Sequence, residues 1–176
     1  MKDIMIDIET LSTATDAAIV SIGAVRFDLT TGEIDSTIYI KVNKQSCVDY
    51  GLRVDVDTIE WWFKQSEEAK AQFLSHHDRK PLDEALIDLS EFIDEDDYVW
   101  GNGINFDCAI LRNAYKVCDV PLPWSTKNER DVRTLVHFKP SIKQEMDFKG
   151  VAHHPVADSI HQVRYCSKIY QFLQKC

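Results

Sequence analysis

The chain has 176 residues, 44% of them hydrophobic and 28% charged, a balance typical of a soluble globular protein long enough to bury its own core. No apolar run approaches the roughly 18–20 residues that cross a bilayer, acids appear from Asp3 so the start does not read as a signal peptide, and five scattered cysteines without a C-x-x-C pair read as reduced thiols of a cytoplasmic protein rather than a disulfide frame or zinc knuckle. The formal net charge of −9 runs against the basic footprint of a nucleic-acid binder, yet residues 124–176 carry nine Lys/Arg against five Asp/Glu, so charge excludes neither a polyanionic partner nor a chain kept soluble by its own negative charge.

Without internal repeats, low-complexity tracts or linkers, residues 1–176 read as one domain. From Lys2 to Glu9 the pattern alternates, with Ile4, Ile6 and Ile8 on one face and Asp3, Met5, Asp7 and Glu9 on the other, which is strand periodicity. Ala18–Phe27 and Ser36–Val42 are β-branched runs joined by the turn-rich Asp28–Gly32, so they read as a hairpin after the first strand. Asp57 with Glu60 three residues on predicts a helix start leading through Trp61, Trp62 and Phe63. Residues 81–93 place Leu82, Ala85, Leu86, Leu89 and Ile93 on one stripe of a further helix, which Asp94–Asp97 ends as a solvated acidic cap. Tyr98–Gly101 then reads as a short buried strand, Asn105–Val117 as a helix and Arg130–Leu135 as another strand. Pro155 opens the last helix at the position where proline is favoured, with Val156, Ile160, Val163, Tyr170 and Leu173 at helical spacing. Three strands followed by alternating strands and helices argue a mixed sheet covered by helices.

Asp7 and Glu9 leave the same face of the first strand, roughly 7 Å apart. They stand at its C-terminal end, where α/β sheets bind ligands. Paired carboxylates raise one another's pKa unless a cation lies between them, and a hard divalent ion such as Mg²⁺ or Mn²⁺ resolves the conflict. Taken alone, an acid pair at a strand end is more commonly solvated. Asp107 follows the glycine-rich bend Gly101-Asn-Gly-Ile-Asn-Phe106, where backbone approaches a ligand closely, and emerges in the first turn of a helix. Asp158 lies in the first turn of the last helix, and either acid would also suit the helix dipole. His153, on the loop leading into that helix, has a side chain whose ordinary pKa suits a general base; local sequence alone does not separate it from His154.

Together the segments Asp7-Ile-Glu9-Thr10, Gly103-Ile-Asn-Phe-Asp107 and His153-x-x-x-x-Asp158 resemble the three motifs of the DEDDh exonucleases, the DnaQ-like group that includes proofreading subunits, oligoribonuclease and RNase T. The resemblance runs over residues 4–173 in the family's order. Thr58-Ile-Glu-Trp-Trp62, Arg130-Asp-Val-Arg-Thr134 and Asp158-Ser-Ile-His161 look most like phage and prophage exonucleases and their exoribonuclease-like bacterial relatives. One departure stands out: where many DEDDh enzymes hold Asn four residues before the second-motif Asp, this chain has Gly103, flanked by Asn102 and Asn105.

The resemblance implies an RNase H-like α/β fold, a mixed five-stranded sheet with three antiparallel strands and then parallel ones, flanked by helices. It implies a 3′→5′ exonuclease that hydrolyses single-stranded RNA or DNA to 5′-mononucleotides with two divalent cations, Mg²⁺ or Mn²⁺. Asp7 would bridge both ions, Glu9 and Asp158 would hold one, Asp107 the other, and His153 would take the proton from the attacking water. Thr10, Leu11, Trp62, Asn105 and Phe106 are the expected substrate contacts, Leu11 as a wedge against the terminal base. Trp61 and Trp62 are candidates for base stacking, of which at most one can serve because adjacent helix residues do not share a face. The alternative is that both simply pack in the core and at its rim. Relatives that form dimers make a homodimer an open expectation. Rival readings are a binding module that keeps the fold without catalysis, against which stands the presence of all five motif residues, and a different two-metal hydrolase acting on nucleotides.

Overall fold

The computed structural model describes residues 2–175. The chain runs β1 (Asp3–Thr10), β2 (Ile19–Phe27), β3 (Ile34–Val42), α1 (Lys44–Asp49), α2 (Val56–Phe63), α3 (Glu67–Leu74), β4 (Arg79–Lys80), α4 (Leu82–Phe92), β5 (Tyr98–Gly101), α5 (Asp107–Val117), β6 (Glu129–Asp131), α6 (Val132–His137), α7 (Pro140–Gln144) and α8 (Pro155–Leu173). One mixed sheet has the order β4-β3-β2-β1-β5-β6. β1, β2 and β3 are antiparallel neighbours, while β5 and β6 extend the sheet in parallel with β1. The fold is the expected mixed α/β arrangement, and the two-residue β4, parallel to β3 at the edge, brings the strand number to six.

The alternation in β1 divides the core. Ile4, Ile6 and Ile8 enter the larger cluster with Leu82, Leu86 and Leu89 of α4 and Ile110, Leu111 and Ala114 of α5. Met5, on the opposite face, packs with Val163, Tyr165, Cys166 and Ile169 of α8. The sheet is therefore covered on both faces, and Asp7 and Glu9 continue the α8 side. That places the last helix directly beside the first strand's acids.

Several local expectations are corrected. Arg130–Leu135 was expected as a strand, but only Glu129–Asp131 is extended; Asp131 then caps α6, its Oδ1 accepting from the Thr134 N–H at 3.1 Å. An Asx-capped turn outcompetes the β-branched residues that follow. α5 starts at Asp107 rather than Asn105, because Ile104–Phe106 form a turn in which the Phe106 N–H bonds the Gly103 carbonyl. α2 begins two residues earlier than expected, with Asp55 at the N-cap and Asp57 in its first turn. Nor is Asp94–Asp97 simply a solvated cap. Asp97 is buried, pairs with Arg26 at 2.7 Å and accepts from the Lys2 backbone N–H at 2.9 Å. A charge run in sequence gives no hint of an Arg 71 positions away.

Candidate active site

The acids converge because three backbones approach without side chains between them. Asp7 is paired across the hairpin with Gly23. A Cβ built on Gly23 would lie 2.5 Å from the Pro155 carbonyl carbon and 2.6 Å from the Val156 nitrogen, so glycine here lets the first turn of α8 rest on the sheet. Pro155 opens that turn, and Asp158 projects from it toward β1. On the other side of β1, Gly101 ends β5 opposite Ile6. The parallel partner stops there, and the Ile8 N–H is taken by Asp107 Oδ1 at 3.3 Å. Gly101 also leaves room for that carboxylate, with Asp107 Oδ2 3.2 Å from where a Cβ would stand.

Carboxylate oxygens of Asp7, Glu9 and Asp158 lie within 4.8 Å of one another. Asp107 falls outside this triplet but lines the same cavity of about 280 Å³, together with Asn102, Phe106, His153 and Gln162. Burial, reinforced by the charges of Asp107 and Asp158, pushes the Asp7 carboxyl well above the usual carboxylate range. Glu9 is raised for the same reason, with Asp7 its strongest repelling neighbour. Asp107 is raised by burial against hydrogen bonds from Ile8, its own backbone and Asn102 and the charge of Arg133. Burial also raises Asp158, while His153 and backbone donors oppose it. Asp158 Oδ2 is buried with no hydrogen-bond partner. Converging hard oxygens, raised pKa values and an unsatisfied carboxylate oxygen together fit a divalent cation.

His153 and His154 are separated by geometry. His153 adopts φ +63° and lines the acid cavity, its ring edge-on to Trp61 at 4.8 Å. The His154 ring instead lies 4.5 Å from Tyr39, and burial holds its pKa below the usual imidazole value. Its carbonyl accepts the Asp158 N–H at 3.0 Å, the first bond of α8.

A second cavity of about 570 Å³ adjoins the first, sharing Ile8, Glu9 and Phe106, and is walled by Thr10, Thr13, Asp55–Thr58, Trp61 and Trp62. The expected substrate contacts divide here. Phe106 stands between the two cavities and Thr10 lines the larger one, its hydroxyl bonded to the Ser12 carbonyl. Trp62 is 2% exposed. Its indole N–H donates to the Thr10 carbonyl at 2.9 Å, and its ring stacks on Phe73 at 5.1 Å. Trp61 is 41% exposed and lines the larger cavity. Leu11 is buried in the core cluster and Asn105 is exposed, and neither lines the two cavities. One contributor went unread in the sequence, Gln162, and Asn102, noted there only as a neighbour of Gly103, lines the acid cavity. Gln162 donates to Asp7 Oδ1 at 2.9 Å while its Oε1 stays unpaired; its position one turn after Asp158 is the signal that could have exposed it.

A mixed sheet with converging acids at the end of its central strand, and a loop histidine beside them, is the arrangement expected of a metal-dependent nuclease site. Residues 2–170 match the family described as the 3′-5′ exoribonuclease Rv2179c-like domain, and the chain belongs to that family. Among solved structures it is similar to E. coli Exonuclease I in complex with a dA16 oligonucleotide, at 14% identity and TM-score 0.67, covering 99% of this chain and 43% of that one. It is also similar to a 3′-exonuclease that recognises the histone mRNA stem-loop 3′ end, at 13% identity and TM-score 0.65, covering 97% of this chain and 82% of that one. A third is the nuclease domain of 3′hExo, a DEDDh family member, bound to rAMP, at 15% identity and TM-score 0.63, covering 97% and 92%. The chain thus spans less than half the length of the Exonuclease I chains it matches. A search of curated protein sequences found no match.

Proposed function

We propose that the protein removes 5′-mononucleotides from the 3′ end of single-stranded RNA or DNA in the cytoplasm. The observation that carries this reading is the convergence of Asp7, Glu9 and Asp158 within 4.8 Å beside His153. Two divalent cations, Mg²⁺ or Mn²⁺, would supply the positive charge that stabilises the attacking and leaving oxygens of an in-line displacement. Asp7, Glu9 and Asp158 would hold one ion, and Asp7 with Asp107 the other. Gln162 orients the Asp7 carboxylate. His153 accepts the proton of the attacking water, and its place on the loop before α8 lets it reach across the acid cluster. Phe106 and Trp61 would hold the terminal nucleotide in the larger cavity by stacking. Trp61 takes the role expected of Trp62, whose ring is committed to the core.

Incubation of the purified chain with Mn²⁺ and 5′-labelled RNA and DNA strands tests the reading. A ladder shortening from the 3′ end, with 5′-mononucleotides released, is the expected result, and the faster of the two ladders assigns the preferred nucleic acid. Strands that are bound but left intact would instead make the protein a binding module. Sedimentation of the same preparation tests for a homodimer.

A further inference from the structure

The chain has seven arginines, and five are committed within the protein. Arg26 pairs with Asp97, Arg53 with Asp16 and Arg112 with Glu129. Arg79 is spent on backbone carbonyls, including those of Val20 and Val42. Arg130 lies over the Tyr98 ring at 4.1 Å and bonds the carbonyls of Lys127 and Glu129. Among the described residues, Arg133 and Arg164 have neither an ion pair nor a side-chain hydrogen bond. Only Arg133 lies against the active-site bend.

Its guanidinium carbon stands 2.9 Å from where a Cβ on Gly103 would be. Gly103 has φ +107° and is followed by the turn that delivers Phe106 and Asp107 to the acid cavity. A side chain at 103 would fill the space that the guanidinium takes. The contact is held in place, because Asp131 accepts from the Ile104 N–H at 3.0 Å through Oδ2 and from the Thr134 N–H at 3.1 Å through Oδ1. The bend and the first turn of α6 are therefore one unit, with Arg133 on its exposed side. Arg133 also opposes the negative charge of Asp107. It does not line the acid cavity itself, so it stands beside the reacting centre rather than in it.

An uncommitted guanidinium on a rigid rim, in a chain of net charge −9, suits planar, two-point recognition of phosphate oxygens. We propose that Arg133 binds a backbone phosphate of the single strand other than the scissile one, and so contributes to the preference for a strand over an isolated phosphodiester. This rests on the exonuclease reading of the acid site. It makes Arg133 a substrate-binding residue that the cavity lining does not identify.

The test compares two substrates with Arg133→Gln, which keeps most of the aliphatic stem, and Arg133→Lys, which keeps the charge without the fork. A short single-stranded oligonucleotide carries further phosphates; a nucleoside 5′-(p-nitrophenyl) phosphate carries one phosphodiester only. Arg133→Gln should raise KM for the oligonucleotide about tenfold, as expected for a lost charge-assisted hydrogen bond, with kcat little changed and the small ester hydrolysed as by the wild type. Arg133→Lys should recover part of the loss. The slope of log Kd against log salt should fall by about 0.7, the value for one phosphate contact on a single strand. Lys168→Gln, exposed on α8, should leave that slope unchanged. Equal losses on both substrates with an unaltered salt slope would overturn the proposal and make Arg133 a support for Asp107. If the wild type cleaves neither substrate, the exonuclease reading fails. Strand binding by fluorescence anisotropy then decides the arginine separately: a weaker, less salt-sensitive Arg133→Gln supports the phosphate contact and an unchanged one overturns it.

Discussion

Replacing Asp7 by Asn should make the metal-free protein more stable while abolishing its activity. Asn keeps the shape of the side chain and an oxygen to accept from Gln162, so the substitution removes charge with little change in packing. Two carboxylates within 4.8 Å of one another repel by at least about 3.5 kcal/mol at an effective dielectric of 20. Asp7 faces two such partners, Glu9 and Asp158, but burial keeps part of the cluster protonated, so about 1–2 kcal/mol of relief is expected. For a chain of this size that is a rise in Tm of about 2–8 °C. The pH dependence has a definite sign. Asp7, Glu9, Asp107 and Asp158 all have folded pKa values above their ordinary ones. The folded state therefore holds more protons than the unfolded state between the ordinary carboxylate range and the raised values. The stability these groups contribute is fully present below the unfolded pKa and is lost as pH rises through the folded ones. In EDTA the gap between Asp7→Asn and wild type should widen from pH 5 to pH 8, measured by thermal unfolding. Mn²⁺ should close or invert the gap by stabilising the wild type alone. An Asn variant no more stable than wild type in EDTA at pH 8, or a gap that does not grow with pH, would refute the account of the site as repelling acids awaiting a cation.

The two histidines should part company: His153→Ala should lower kcat about 10²–10⁴-fold, the usual contribution of a general base, whereas His154→Ala should cost activity far less, as single-turnover assays at saturating Mn²⁺ will read. The two tryptophans should separate in the opposite currencies. Trp61→Ala should raise KM by the about 1–3 kcal/mol that stacking on one base contributes with Tm nearly unchanged, and Trp62→Ala should destabilise by about 3–5 kcal/mol, as loss of a buried aromatic does. Gly23→Ala should cost about 1–3 kcal/mol from overpacking and blunt the Mn²⁺-induced rise in Tm. The new methyl meets backbone atoms of Pro155 and Val156 at 2.5–2.6 Å, so the turn carrying Asp158 must withdraw.

What could be read from the sequence followed from short-range rules. The alternation of β1 and the Pro155 start of α8 depend on neighbouring residues, and both elements appear where expected. The Arg130–Leu135 segment leaves the extended conformation after Asp131, whose side chain caps α6, a bond that the pattern of residue types does not announce. The helices α1 and α3 and the strand β4 were not anticipated; they are short, and Arg79 ties the region together through carbonyls of Gln72, Phe73, Val20 and Val42, bonds that residue types do not announce. At the site, acid and histidine positions were legible as a pattern, and the structure brings Asp7, Glu9, Asp107, Asp158 and His153 to one cavity. The choice between Trp61 and Trp62 was not, because it depends on the rotation of α2, fixed by Phe73 and the Thr10 carbonyl from elsewhere in the chain.

The register of the first hairpin has a role that motif spacing cannot express. Pairing of Asp7 with Gly23 puts the one residue without a side chain beside the first acid, and α8 enters at that point. A slip of one residue would set Ile22 or Ala24 there and turn the acids to the opposite face. The β-branched content of β2 buries both its faces, with Ile22 among the α4 and α5 side chains and Val25 among those of α8, so a slipped register would expose or crowd both clusters at once. Hydrophobic packing thus sets the register, register sets where α8 can approach, and that approach brings Asp158 to Asp7 across 151 positions of chain. Substitutions at Gly23 should consequently resemble loss of Asp158 more closely than loss of a core residue: metal response and activity should fall together, ahead of the fold.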